Sequence, residues 1–314
     1  MPKRKRSAAA AAEGKARTSS FVTWNINGLR ALLCDDALIL SLNNLLDEQP
    51  SMLCLIEHKL QDPDKQLGSA AAKKRLEGSA YAKAQLEEIA AAKGYMCTWT
   101  FSPRPGLDGL VMLTCRTVDA TPTEPVLDHN ECACERRLLH WELEQMHVVV
   151  AYAPNSQAKG RLDFRLKQWE PSIRQLLGRL KDGKKPVLYQ GDLNVAHKEE
   201  SSTQGGDAYD FADFKRPGRR REEMEAFDAL LSECKLVDGF RRLHPEEREG
   251  SRTCWTKNDR SYWKRYDYAL VSKDLMHPPR EPDELQLVEV RHRDDAFAGG
   301  RPDHVPVESV FKGM

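Results

Sequence analysis

Residues 186–197 read PVLYQGDLNVAH. Val187, Leu188 and Tyr189 make a short apolar run rich in β-formers, which predicts a buried strand. The run passes into Gly191 and Asp192. A glycine at a strand end permits close approach of backbone or ligand, so an acid placed directly after it is well set for a site. Asn194 lies two residues beyond Asp192, and in extended chain the two side chains share one face. Three other places pair a strand end with polar residues: Trp24–Gly28 (WNING), Ile56–Lys59 (IEHK) and Pro302–His304 (PDH), with RYDY at 265–268 close to the last in chain order.

The flanking pattern extends this reading. Strands are predicted over 21–26, 51–56, 95–101, 110–116, 253–256, 266–272 and 305–310, and a hairpin over 137–144 and 146–152. Helical periodicity or composition marks 36–46, 70–93, 162–180 and 222–231. Interspersed strands and helices without an internal repeat imply an α/β fold: a four-layer α/β sandwich of two packed mixed β-sheets flanked by helices, spanning residues 20–314. The stretches 60–94 and 278–300 are polar enough to be expected as surface insertions. Residues 1–19 are different. Six basic residues stand against Glu13 alone, and an alanine run follows the basic cluster, so a disordered basic tail is expected. Pro2–Arg6 resembles a nuclear-import signal, which points to the nucleus.

Composition sets limits. Lys+Arg and Asp+Glu both total 48, so binding to nucleic acid through bulk charge is excluded, though a local basic face beside an acidic pocket is not. No apolar run is long enough to span a membrane, and no signal peptide is evident. The eight cysteines are scattered, without the paired spacing of a zinc site, and read as reduced thiols of an intracellular protein. Hard cations such as Mg2+ take oxygen ligands, which Glu57 and Asp303 offer. A histidine paired with a carboxylate, as His304 with Asp267, is held in one tautomer and can donate to a phosphoryl oxygen.

Seven strings carry a resemblance: TWNINGLRA at 23–31, LIEHKLQ at 55–61, YAPNS at 152–156, PVLYQGDLNVAH at 186–197, LVDGFRRLHP at 236–245, RYDYALVS at 265–272 and PDHVPV at 302–307. In this order they resemble the exonuclease III-type apurinic/apyrimidinic endonucleases of the endonuclease/exonuclease/phosphatase superfamily. The resemblance implies a Mg2+-dependent phosphodiesterase, with Mn2+ able to substitute. It would act as a monomer on duplex DNA bearing abasic sites or blocked 3′ ends. It further implies that Glu57, Asn27 and Asp303, with Asp192 and Asn194, form the metal side of the site. Asp192 would activate the attacking water, positioned by Asn194 and Asn25. Tyr152 and Asn155 would contact the scissile phosphate, and His304 with Asp267 would stabilise the developing charge. Trp255, Trp263 and Arg265 would line the substrate pocket. The chain departs from the family at Ile56, where Gln is usual, and at Lys264, which takes the place of an aromatic. Those changes bear on lesion choice more than on chemistry and would favour 3′-end trimming, or general nuclease work, over incision 5′ to abasic sites. Basic residues at 215–221 and 241–242 are candidate phosphate clamps. A superfamily phosphodiesterase without abasic-site preference and a weakly catalytic scaffold are the alternatives.

Overall fold

Every residue of Met52–Ile56 (β2) is buried, yet its two faces go to different places. Met52, Cys54 and Ile56 join one apolar cluster, whereas Leu53 and Leu55 join another. His147–Tyr152 (β7) behaves the same way: Val148, Val150 and Tyr152 point to one side, Val149 and Ala151 to the other. A strand covered on both faces needs no polar alternation, so such stretches read as continuous apolar runs.

The computed structural model describes residues 18–64, 70–104, 106–197, 217–247, 252–256, 259–278, 281, 284–296 and 302–314. Two six-stranded sheets stack face to face. The first runs in the order β13 (Gln286–His292), β14 (Val307–Lys312), β1 (Thr18–Asn25), β2, β4 (Leu110–Cys115) and β3 (Tyr95–Thr100). The second runs β5 (Ala120–Thr123), β6 (Leu138–Leu143), β7, β8 (Val187–Asp192), β12 (Asp267–Ser272) and β9 (Leu236–Asp238). Each sheet has one parallel pair at its centre, β1–β2 and β7–β8, with antiparallel strands outside it. A separate ribbon pairs β10 (Cys254–Thr256) with β11 (Asp259–Lys264).

Helices α1 (Leu29–Leu32), α2 (Asp36–Asp47) and α3 (Ala70–Ala92) cover the outer face of the first sheet through Leu29, Leu42 and Leu86. Helices α6 (Glu170–Asp182) and α7 (Arg221–Glu233) cover the second through Ile173, Leu177 and Phe227. Shorter helices α4 (Asn130–Cys134), α5 (Arg161–Phe164) and α8 (Gly239–Leu243) fill the connections. This is the four-layer α/β sandwich expected from the sequence. Gln190 ties the layers together. Its side-chain amide donates to Val307 O at 2.9 Å on the opposite sheet, and Ser309 Oγ donates to Gln190 Oε1 at 2.7 Å. Among the described residues no helix is long and apolar enough to cross a membrane.

Three expectations change. Strand β1 already begins at Thr18, while residues 1–17, including the import-like segment, lie outside the described residues. The stretch 60–94 is not a surface insertion throughout: within α3, Ser79, Ala82, Leu86 and Ala90 are buried. The stretch 278–300 contains β13, which buries Leu287 and Val290. An irregularity between Leu287 and Glu289 breaks the two-residue period that would have announced this strand.

Candidate active site

The carboxyl ends of the two parallel strand pairs meet at one end of the sandwich. Asn25 closes β1, Glu57 follows β2, Tyr152 closes β7 and Asp192 closes β8. Open α/β folds place their sites at such ends. Asp267 faces Asp192 across the β8–β12 ladder, and His304 is brought alongside by a bridge to Cys254 and a 3.1 Å bond from Trp24 Nε1 to its carbonyl.

Asp192 is 1% exposed, and both its oxygens are engaged. Asn25 Nδ2 donates to Oδ2 at 2.9 Å, and the Asn194 amide donates to Oδ1 at 2.9 Å. The supports are themselves held: Asn155 Nδ2 donates to Asn194 Oδ1 at 3.2 Å, and the Asn27 amide donates to Asn25 Oδ1 at 3.0 Å. His304 Nδ1 lies 2.8 Å from Asp267 Oδ2, while its Nε2 lies 4.0 Å from Asp192 Oδ2. Burial, reinforced by the Asp267 charge, pushes the Asp192 carboxyl up to about 7. For His304, burial works against the charged ring, but Cys254 and Asp267 outweigh it and hold the imidazole well above its ordinary value. Burial also raises the Cys254 thiol, so at neutral pH Asp267 is the charge that matters.

Backbone strain concentrates here. Asn27, Glu57, Lys59 and Asn194 have φ values of 49°, 59°, 59° and 50°, a left-handed region that non-glycine residues seldom adopt. Gly191 has φ +139°, and a Cβ there would fall 2.1 Å from Ala151 O. The loop after Asp192 is gripped by Arg165, which the sequence did not single out. Arg165 donates to Leu193 O at 2.7 Å and to Asn194 O at 2.8 Å. It sits on a π-helical turn, Arg165–Trp169, within a stretch that reads as one continuous amphipathic helix.

The other half of the site gathers oxygen. Lys59 Nζ lies 2.9 Å from Glu57 Oε2 and also donates to Asn27 Oδ1, whose own Nδ2 donates to Asp303 Oδ1 at 2.9 Å. The ammonium thus stands where oxygens converge on a cation, and the donor set suits a hard metal ion. Asp192, Asp267 and His304 form a second cluster whose ligand atoms lie within 4.8 Å of one another. His58 shapes the first group and was also missed. It is fully buried, accepts from the Leu60 amide at Nδ1 (3.0 Å) and contacts Thr100 O through Nε2 (2.8 Å). Anchoring the central residue turns Glu57 and Lys59 away from the core.

Proteins of known name resemble this chain in overall sequence and fold. An exodeoxyribonuclease from Bacillus subtilis (strain 168) is 30% identical over 303 residues, covering 93% of this chain and 98% of that protein. The DNA repair nuclease APEX1 of Danio rerio is 32% identical over 279 residues, covering 84% and 76%. This chain belongs to the exonuclease III-type AP endonuclease family. The crystal structure of the AP endonuclease LMAP from Leishmania major matches the fold with a TM-score of 0.73 at 23% identity, covering 94% of this chain and 88% of that one. No protein-family model matches.

Within this AP endonuclease fold the remaining expected residues divide. Trp255 and Trp263 face each other across the β10–β11 ribbon, and the Trp255 amide donates to Asp303 O at 2.8 Å, so the ribbon borders the site. Trp255 is half-buried and Trp263 is 6% exposed. Arg265 corrects the expectation of a substrate contact. It is 1% exposed, pairs with Asp238 Oδ2 at 2.6 Å and stacks 4.6 Å from the Tyr268 ring. Among the basic residues, Lys215 and Arg216 lie outside the described residues, and Arg219 is buried. Arg220 reaches Ser156 O at 3.1 Å, next to Asn155.

Proposed function

We propose that this monomeric enzyme hydrolyses duplex DNA on the 5′ side of abasic sites and trims blocked 3′ ends, with Mg2+ as its metal and Mn2+ able to replace it. The observation that carries this is the fixed Asp192 carboxylate, with the His304–Asp267 pair beside it, in a chain of this family. Relatives named as an exodeoxyribonuclease and a DNA repair nuclease support it.

Glu57, Asn27 and Asp303 would hold the metal, whose charge when bound offsets that of the phosphate oxygens. Asp192 orients the attacking water and takes its proton, with Asn25 and Asn194 keeping the carboxylate in place. His304 presents Nε2 towards the reacting phosphate because Nδ1 is committed to Asp267. Tyr152 and Asn155 contact the scissile phosphate, and Asp303 assists the leaving 3′-oxygen.

One gel tests this: an abasic duplex, an undamaged duplex and a 3′-phosphoglycolate end, each with Mg2+ or EDTA. Incision of the first and trimming of the third, both stopped by EDTA, are expected. Cutting that survives EDTA refutes the metal assignment. The burial of Trp263 favours a second reading, a nuclease without abasic-site preference, since it leaves Trp255 as the more open wall. Equal cutting of damaged and undamaged duplex establishes that reading instead. The basic segment Pro2–Arg6 supports nuclear import, checked by the distribution of a fluorescent fusion with and without it.

A further inference from the structure

Arg137 is only 4% exposed, and the reaction outlined above gives it no task. Its guanidinium lies 4.8 Å from the centre of the Tyr152 ring, within cation–π range. Its Nη1 donates to Tyr152 O at 3.3 Å, and the Tyr152 amide donates to Arg137 O at 3.0 Å. The rest of the fork is also used: Nη2 pairs with Asp108 Oδ2 at 2.7 Å, and Nε pairs with Glu135 Oε2 at 2.5 Å. Arg161 grips Glu135 from the other side at 2.6 and 2.7 Å.

Asp108 makes this more than a local cluster. It is 5% exposed, and its carbonyl accepts the Lys59 amide at 2.9 Å. Lys59 and Glu57 belong to the first sheet's side of the cleft, and Tyr152 closes a strand of the second. The path Lys59–Asp108–Arg137–Tyr152 therefore joins the two sides. Burying a guanidinium and carboxylates is a poor way to gain stability, because desolvation opposes it and apolar side chains could fill the same space. Orientation accounts for the arrangement better.

We propose that Arg137 is a positioning residue: braced by Asp108, it fixes the Tyr152 hydroxyl relative to the Glu57–Lys59 turn. This rests on Tyr152 contacting the scissile phosphate, so the test separates the two ideas. Rates are measured on an abasic duplex with saturating Mg2+ for the full-length wild type, Y152F, R137K and the double variant. Y152F is expected to lose about 10-fold or more in kcat. R137K is expected to lose about 10-fold in kcat with KM within about 2-fold, and to add less than about 2-fold when Tyr152 is already Phe. Losses that multiply in the double variant, or an R137K effect confined to KM, overturn the positioning role. A Y152F enzyme as fast as wild type overturns the phosphate contact and the proposal with it. If circular dichroism shows that R137K does not fold, D108N takes its place in the same cycle and is held to the same outcomes.

Discussion

His304 lies between two carboxylates, 2.8 Å from Asp267 at Nδ1 and 4.0 Å from Asp192 at Nε2. The nearer one sets the ring's tautomer and leaves Nε2 facing the cleft. An amide at position 267 can hold the ring the other way round. D267N and H304N should therefore each slow single-turnover cleavage by about 10²–10³-fold, and the double variant should be within about 3-fold of either. Independent, multiplying losses would mean that the two residues do not act as a unit.

Asp192→Asn keeps the shape of a residue held on both sides, so the fold should persist. Turnover should fall by about 10³-fold or more, while binding of an abasic duplex in EDTA stays near the wild-type level. Loss of binding together with turnover would reassign Asp192 to a structural role.

Glu57 shares the Lys59 ammonium with Asn27. Removing the carboxylate by Glu57→Ala should raise the Mg2+ concentration for half-maximal activity by about 10-fold or more. An unchanged titration takes Glu57 out of the metal shell.

The pH dependence of stability should be read at His140 and His147, away from the cleft. Their ring nitrogens lie 3.1 Å apart and are buried. Burial first, then its neighbour His147, brings His140 down to about 4; burial also lowers His147. The folded value lies below the unfolded one, so the unfolded chain takes up the proton first. The contribution is full above about 6.5 and is lost as pH falls towards about 4, by up to about 10-fold in the folding constant per pH unit. Urea unfolding at several pH values should show this slope, and H140N should flatten it relative to wild type. Equal slopes would remove His140 from the account.

Gly191→Ala would place a methyl group 2.1 Å from Ala151 O at a φ of +139°. A loss of about 3 kcal/mol or more is expected in chemical denaturation. Wild-type stability would show that β7 yields without cost.

The strand ends could be read because β2, β7 and β8 are covered on both faces, so their apolar runs stop where polar residues begin at the cleft. That placed Glu57, Tyr152 and Asp192 at strand ends without a fold in hand. What escaped were residues whose neighbours are remote in the chain. His58 stands between two charged residues and looks like surface, yet it lies edge-on to the rings of Trp99 and Phe101. Arg165 looks like the polar face of a helix until the π turn aims it at Leu193 and Asn194. Arg265 sits two residues from Asp267, and the family resemblance implied a place in the pocket; its partner Asp238 is 27 positions away.

Strand β14, the last along the chain, does not take an edge. It lies between β13 and β1, next to the strand that carries Asn25. The middle of the first sheet therefore cannot close around Asn25 until residues about 280 positions further along the chain have paired with β1, a contact of long sequence separation that makes the cleft late to assemble.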